Sequence, residues 1–95
     1  MTEQEFLQRF DSGDEFNEGD LWDILYTFTF EEIEGDSGRW TQNVQTILEI
    51  GGRYFALDWR KGLTEHQESF VHDQPYEVTR KTRIIEETYW EPLDK

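Results

Sequence analysis

The sequence predicts an α+β fold: an antiparallel meander sheet of three to four strands with a short N-terminal helix packed on one face. Three observations lead there. An apolar stripe at helical spacing opens the chain, period-two alternation takes over from Leu21, and glycine turns divide the remainder into lengths suited to sequential hairpins. The 95 residues suit a single domain spanning residues 1–95.

The helix is expected over residues 2–11. Thr2 is placed as its N-cap with Glu5 three residues on, and Phe6, Leu7 and Phe10 form an apolar side. Asp11-Ser12-Gly13 ends it. Residues 11–20 are an acidic loop whose one apolar residue, Phe16, either pins the loop or starts a second short helical turn.

A first strand is expected over residues 21–33, where Trp22, Ile24, Tyr26, Phe28 and Phe30 alternate with other residues. Gly35-Asp36-Ser37-Gly38 reads as a turn. A second strand follows over 39–50, with Trp40, Val44, Leu48 and Ile50 on one side. Gly51-Gly52 is a two-residue hairpin signal, since both positions tolerate positive φ. The third strand covers 53–60, with Phe55, Leu57 and Trp59 on one face. A loop over 61–75 carries both histidines and room for a helical turn at 65–70; the fourth strand covers 76–90, with a bulge at Ile84-Ile85.

Hydrophobic residues are 35% of the chain, below the usual globular share of about 45–50%. Seven Phe, four Trp and four Tyr compensate, because each ring buries roughly 150–250 Å². Alternation assigns Trp22, Tyr26, Phe28, Phe30, Trp40, Phe55 and Trp59 to the core. Tyr54, Tyr89 and Trp90 fall out of register or near the end and are candidate interface anchors. For a compact chain of this length the expected radius of gyration is roughly 12 Å.

The formal charge is −13, which disfavours direct binding to nucleic acid or an anionic membrane. It is unevenly spread. Residues 1–38 hold twelve acids against Arg9; residues 39–62 hold four bases against two acids; residues 63–95 hold eight acids against four bases. One reading is a solvated face that aids solubility. The other is a surface that competes for a basic groove. Same-face strand neighbours sit about 6.6–6.8 Å apart, and a polynucleotide strand carries one charge per roughly 3.4 Å of rise. Carboxylates on a strand and an adjoining loop therefore approach the charge spacing of a phosphate chain. The contact set on that reading is Asp14, Glu15, Glu18, Asp20, Asp23, Glu31, Glu32, Glu34 and Asp36.

Catalytic and metal signatures are absent from the sequence. With no Cys, disulfides and thiolate metal sites are excluded. The acids of residues 11–20 do not fit the EF-hand spacing, because Phe16 stands at the loop's sixth position. His66 and His72 are six residues apart and lack the helical zinc spacing. None of Ser12, Ser37 and Ser69 lies in a nucleophile-elbow motif. The expectation is a protein that is not an enzyme and carries no cofactor and no metal. No apolar run approaches membrane-spanning length and no signal peptide opens the chain, so a soluble, cytoplasmic protein is expected.

The segment Gly52-Arg53-Tyr54-Phe55-Ala56-Leu57-Asp58-Trp59-Arg60-Lys61-Gly62-Leu63-Thr64-Glu65-His66-Gln67-Glu68, with Gln74-Pro75-Tyr76-Glu77-Val78 and Tyr89-Trp90-Glu91-Pro92, resembles small acidic accessory proteins encoded by bacteriophages. The likeness covers about residues 47–92, and the acidic first 38 residues lie outside it. It implies a context, an infected bacterium: small acidic phage proteins include inhibitors of host defence, among them anti-CRISPR proteins and mimics of DNA. Such inhibitors occupy positively charged channels that hold duplex or heteroduplex. The partner implied is a basic nucleic-acid-binding host protein, with a CRISPR effector as one instance. The alternative is an accessory protein binding another phage protein through the 61–75 loop and exposed aromatics. A long edge strand over 21–33 also permits a homodimer by strand pairing.

Overall fold

Thr2 opens α1 (Glu3–Asp11) by accepting the Glu5 backbone N–H on its hydroxyl at 3.1 Å, as the spacing predicts. The computed structural model describes residues 1–64, 66–82, 88 and 90–93. Only Phe6 of α1 is fully buried, and its ring organises the core. It stacks on Phe16 at 5.3 Å and Phe10 at 5.8 Å, and meets Phe55 edge-on at 4.9 Å. Phe16 therefore pins the acidic loop. Its backbone is held from the far end of the chain: its N–H donates to Gln74 Oε1 and its carbonyl accepts from Gln74 Nε2, both at 2.9 Å.

The largest departure from the sequence reading follows. Residues 21–28 are not strand. They belong to a second helix, α2 (Glu18–Phe28). Asn17 caps it through a reciprocal box, with Asp20 N–H donating to Asn17 Oδ1 at 2.8 Å and Asn17 N–H donating to Asp20 Oδ2 at 3.3 Å. With that start fixed, Leu21, Ile24, Leu25 and Phe28 fall on one helical stripe and face the core. Tyr26 falls off it and is 92% exposed.

The strand begins only at Thr29, directly after the helix. The Thr29 hydroxyl donates back to the Leu25 carbonyl, closing the last turn. β1 (Thr29–Ser37), β2 (Thr41–Ile50), β3 (Arg53–Gly62) and the short β4 (Tyr76–Val78) form an antiparallel sheet in the order β1-β2-β3-β4. The meander with a helix on one face is thus present, with α2 added to that face. β1 runs through the expected turn at 35–38. The chain reverses at Gly38–Trp40, where Gly38 N–H donates to the Thr41 carbonyl at 2.8 Å. Gly51 (φ +58°) and Gly52 (φ +78°) make the β2–β3 turn as expected.

Strand four is shorter than the expected 76–90. Residues 79–82 carry no strand, while Ile84-Ile85, with their expected bulge, and Tyr89 lie outside the described residues. The irregularities of strand pairing instead fall in β1, between Thr29 and Glu31 and between Glu34 and Ser37. In the 61–75 loop, Phe70 and Arg60 exchange backbone hydrogen bonds at 2.9 Å, so Phe70 extends the sheet and is not part of a helical turn; Glu65 lies outside the described residues.

Val44, Thr46, Leu48 and Ile50 of β2, with Phe55 and Leu57 of β3, form the buried floor under the helices, joined by Val71 from the loop. Phe55 is core as expected, and Trp22, Phe28 and Trp59 are half-buried against it. Tyr26, Phe30 and Trp40, expected inside, are exposed. Phe30 sits on the sheet face away from α1 and α2, edge-on to Tyr54 at 5.6 Å, and Trp40 lies in the turn after β1. The radius of gyration is 18.7 Å, well above the compact expectation, which accords with the described residues beyond Val78 being exposed and outside any helix or strand.

Because Phe6 joins α1, the acidic loop and β3, its loss leaves a cavity at the centre of the core. Phe6→Ala is expected to lower the unfolding free energy by about 3–5 kcal/mol, read from the urea midpoint at an unchanged slope.

Candidate interaction surface

The acids divide into structural and unpaired groups. Among the structural ones, Glu3 Oε2 accepts the Gly51 N–H at 2.6 Å, fastening α1 to the hairpin turn. Arg53 takes Asp11 bidentately, both bonds at 3.0 Å, and Glu77 through Nε and Nη2 at 2.9 and 3.0 Å. That fork ties the end of α1, the start of β3 and β4 together. Its hydrogen bonds hold the Asp11 and Glu77 carboxyls below their ordinary range and raise Arg53 above its own. Arg39 lies over the Trp40 ring at 4.7 Å and Arg80 over Phe30 at 5.9 Å.

The nine expected contact residues are placed as follows. Arg9 reaches Asp20 at 3.2 Å and Asp14 at 3.9 Å, and donates to the Glu15 carbonyl, so Asp14 and Asp20 have a cation of their own chain. Asp20 also serves the α2 cap. Asp23 accepts the Met1 ammonium at 2.7 Å, and that bond holds its carboxyl below the ordinary range. Glu18 accepts from the Trp22 indole N–H at 3.5 Å. Among the described residues, Glu15, Glu18, Glu31, Glu32, Glu34 and Asp36 have no salt-bridge partner.

Four of these six lie on β1. That strand is the edge of the sheet, and all nine of its residues are exposed. Glu32 and Glu34 stand opposite Thr46 and Val44 and share the helix-covered face; Glu31 stands opposite Ile47, on the other face. Asp36 follows the second irregularity. The structure brings the β1 acids together as a rail along one edge, with carboxylates on both sides of the strand. Glu15 and Glu18 lie on other elements, in the loop before α2 and at its start.

Sequence reasoning missed a cleft between α2 and the sheet. Trp22, Asp23, Leu25, Tyr26, Thr29, Glu32, Thr46 and Trp59 line a space of about 520 Å³. Trp22 and Tyr26 are one helical turn apart, a pairing visible in the sequence once the segment is read as helix. On the opposite face a second cleft of about 560 Å³ includes Asp58, Arg60, His72 and Asp73. His66 and His72 are both exposed, as expected of loop histidines. Ser12 caps α1 by bonding the Gln8 carbonyl at 2.8 Å, and Ser69 Oγ accepts the Gly62 N–H at 3.1 Å. No group of three or more His, Asp or Glu among the described residues is placed to share a metal ion, and no described helix is long and apolar enough to cross a membrane.

Comparison with protein-family models, with curated proteins and with solved structures finds no match for this chain.

The Arg53 fork sets an acid limb. Carboxyls lowered in the folded state stabilise it above their unfolded pKa, and that contribution is lost as pH falls through the lowered folded values. The stability gap between the native chain and an Asp11→Asn/Glu77→Gln variant is therefore expected to be constant from neutrality to about pH 5 and to close below about pH 4, measured by urea unfolding across pH.

Proposed function

We propose that the chain is a non-catalytic binding module that sets the acidic edge of β1 against a basic, nucleic-acid-handling surface of a host protein and blocks nucleic acid there, as a DNA mimic does. The phage-type context, the bacterial cytoplasm and a CRISPR effector as partner come from the sequence resemblance.

One observation carries this reading. A nine-residue edge strand is exposed throughout and bears four acids and no base, and among the described residues none of the four has a salt-bridge partner. Edge charges also guard against strand-to-strand aggregation. Carboxylates here fall at four of six successive positions, Glu31 to Asp36, a mean spacing of about 5.5 Å along the strand, within a factor of two of the roughly 3.4 Å per charge of a polynucleotide strand. Stacking this much like charge costs folding free energy through self-repulsion, which fits a surface kept for a partner.

A second reading has its own support. Leu63 and Trp40, both exposed, are joined by a backbone hydrogen bond at 2.9 Å, and Trp90 is 94% exposed. These suit an apolar contact with another phage protein.

Salt separates the two. A protein captured from bacterial lysate at about 0.1 M salt is expected to be a nucleic-acid binder, to be displaced by duplex DNA, and to be lost at about 1 M salt, where the screening length falls from about 10 to 3 Å. Glu31→Gln/Glu34→Gln/Asp36→Asn is expected to weaken capture about tenfold or more, roughly 1.4 kcal/mol or above, at an unchanged melting temperature. Capture that survives both the salt and the triple variant contradicts the charged-edge reading and favours the apolar one.

A further inference from the structure

The cleft between α2 and the sheet has a chemical bias of its own. Three of its eight lining residues are aromatic, two are acids and none is Lys, Arg or His. Trp22 and Trp59 meet edge to face at 5.6 Å and 76°, and Tyr26 stands beside them on α2, largely in solvent. Aromatic faces and carboxylates both attract cations, and both repel anions.

The hydrogen-bond inventory sharpens this. The Trp59 indole N–H donates to the Thr46 hydroxyl at 2.9 Å, the Trp22 N–H donates to Glu18, and the Thr29 hydroxyl donates to the Leu25 carbonyl. These donors are spent within the protein. Thr46, at 1% exposure the one buried polar residue of the described core, is satisfied by Trp59. What faces the cleft is π surface, the Tyr26 and Thr46 hydroxyls and carboxylate acceptors, above all Glu32, which has no salt-bridge partner among the described residues. Asp23 already accepts an ammonium group and the Thr27 hydroxyl.

We propose that this cleft binds a guanidinium group, the side chain of an arginine presented on a partner's peptide chain. A guanidinium is a flat cation with five N–H donors and no acceptor, able to stack on an indole or phenol while its edge meets a carboxylate. The space, about 520 Å³, exceeds what one side chain needs and leaves room for the adjoining backbone. The inference goes beyond the charged-edge reading: it concerns one side chain, it depends on three aromatics outside the acidic set, and Glu31, Glu34 and Asp36 take no part.

The test titrates the full chain with the pentapeptide Gly-Gly-Arg-Gly-Gly and follows the indole N–H resonances of Trp22 and Trp59 by NMR. Lysine and citrulline replace the arginine in control peptides. The arginine peptide is expected to shift both resonances saturably, the lysine peptide to bind more weakly, and the neutral citrulline peptide to leave them in place. Glu32→Gln and Tyr26→Ala, both at exposed positions, are each expected to weaken the arginine titration about threefold to tenfold at an unchanged melting temperature. The proposal is overturned if the citrulline peptide shifts the same resonances equally, if the lysine peptide binds as well as the arginine one, if saturation is never reached, or if neither substitution changes the titration. The edge variant Glu31→Gln/Glu34→Gln/Asp36→Asn is expected to titrate like the native chain, so this result and the capture result fail independently.

Discussion

The Phe6 ring touches aromatic side chains from its own helix, the acidic loop and β3, and it is 0% exposed. That cluster is what lets so polar a sequence fold. With 35% hydrophobic residues, the core beneath the two described helices is concentrated in a few large rings on one face of the sheet. Docking α1 through Phe6 places Asp11 beside Arg53 and Glu3 beside Gly51. Pinning Phe16 through Gln74 sets where Asn17 can cap α2. The position of α2 then determines which acids meet a cation and which remain at the surface.

The charge distribution follows from that geometry. Glu3, Asp11, Asp14, Asp20 and Asp23 do structural work: they cap, clamp the hairpin, or pair with Arg9, Arg53 or the Met1 ammonium. Acids on β1 have no such employment among the described residues: α2 packs against β2 and β1, but β1 is an edge of the sheet and its side chains stay exposed. The acids that hold the fold are thereby distinct from those free to meet a partner. The contact set expected from sequence mixed the two kinds, with Asp14, Asp20 and Asp23 on the structural side.

Much of the architecture was legible in the residues. The Thr2–Glu5 spacing marked α1, and Gly51-Gly52 marked the hairpin. The segment from Leu21 to Phe28 was read as strand because it satisfies two periods at once: Trp22, Ile24, Tyr26 and Phe28 alternate, while Leu21, Ile24, Leu25 and Phe28 follow a helical stripe. Local composition, rich in aromatics, favours the strand. The Asn17–Asp20 box upstream decides for the helix, and that signal was present in the sequence. The pairing of Arg9 with Asp14 and Asp20 was not legible in the same way, since it depends on how the acidic loop folds back along α1. Nor was the cleft of Trp22, Tyr26 and Trp59, which exists only once α2 is a helix lying across the sheet.

The account rests on negative potential being concentrated along β1 and not averaged over the whole surface. Paramagnetic relaxation of backbone amides by a cationic and an anionic nitroxide of the same size measures that potential directly, residue by residue, without a partner. The ratio of cationic to anionic enhancement is expected to peak over residues 29–37 and to be lowest around Arg60 and Lys61. A ratio that is uniform along the chain, or that peaks at Asp14 and Asp20 while β1 is unremarkable, would contradict the account.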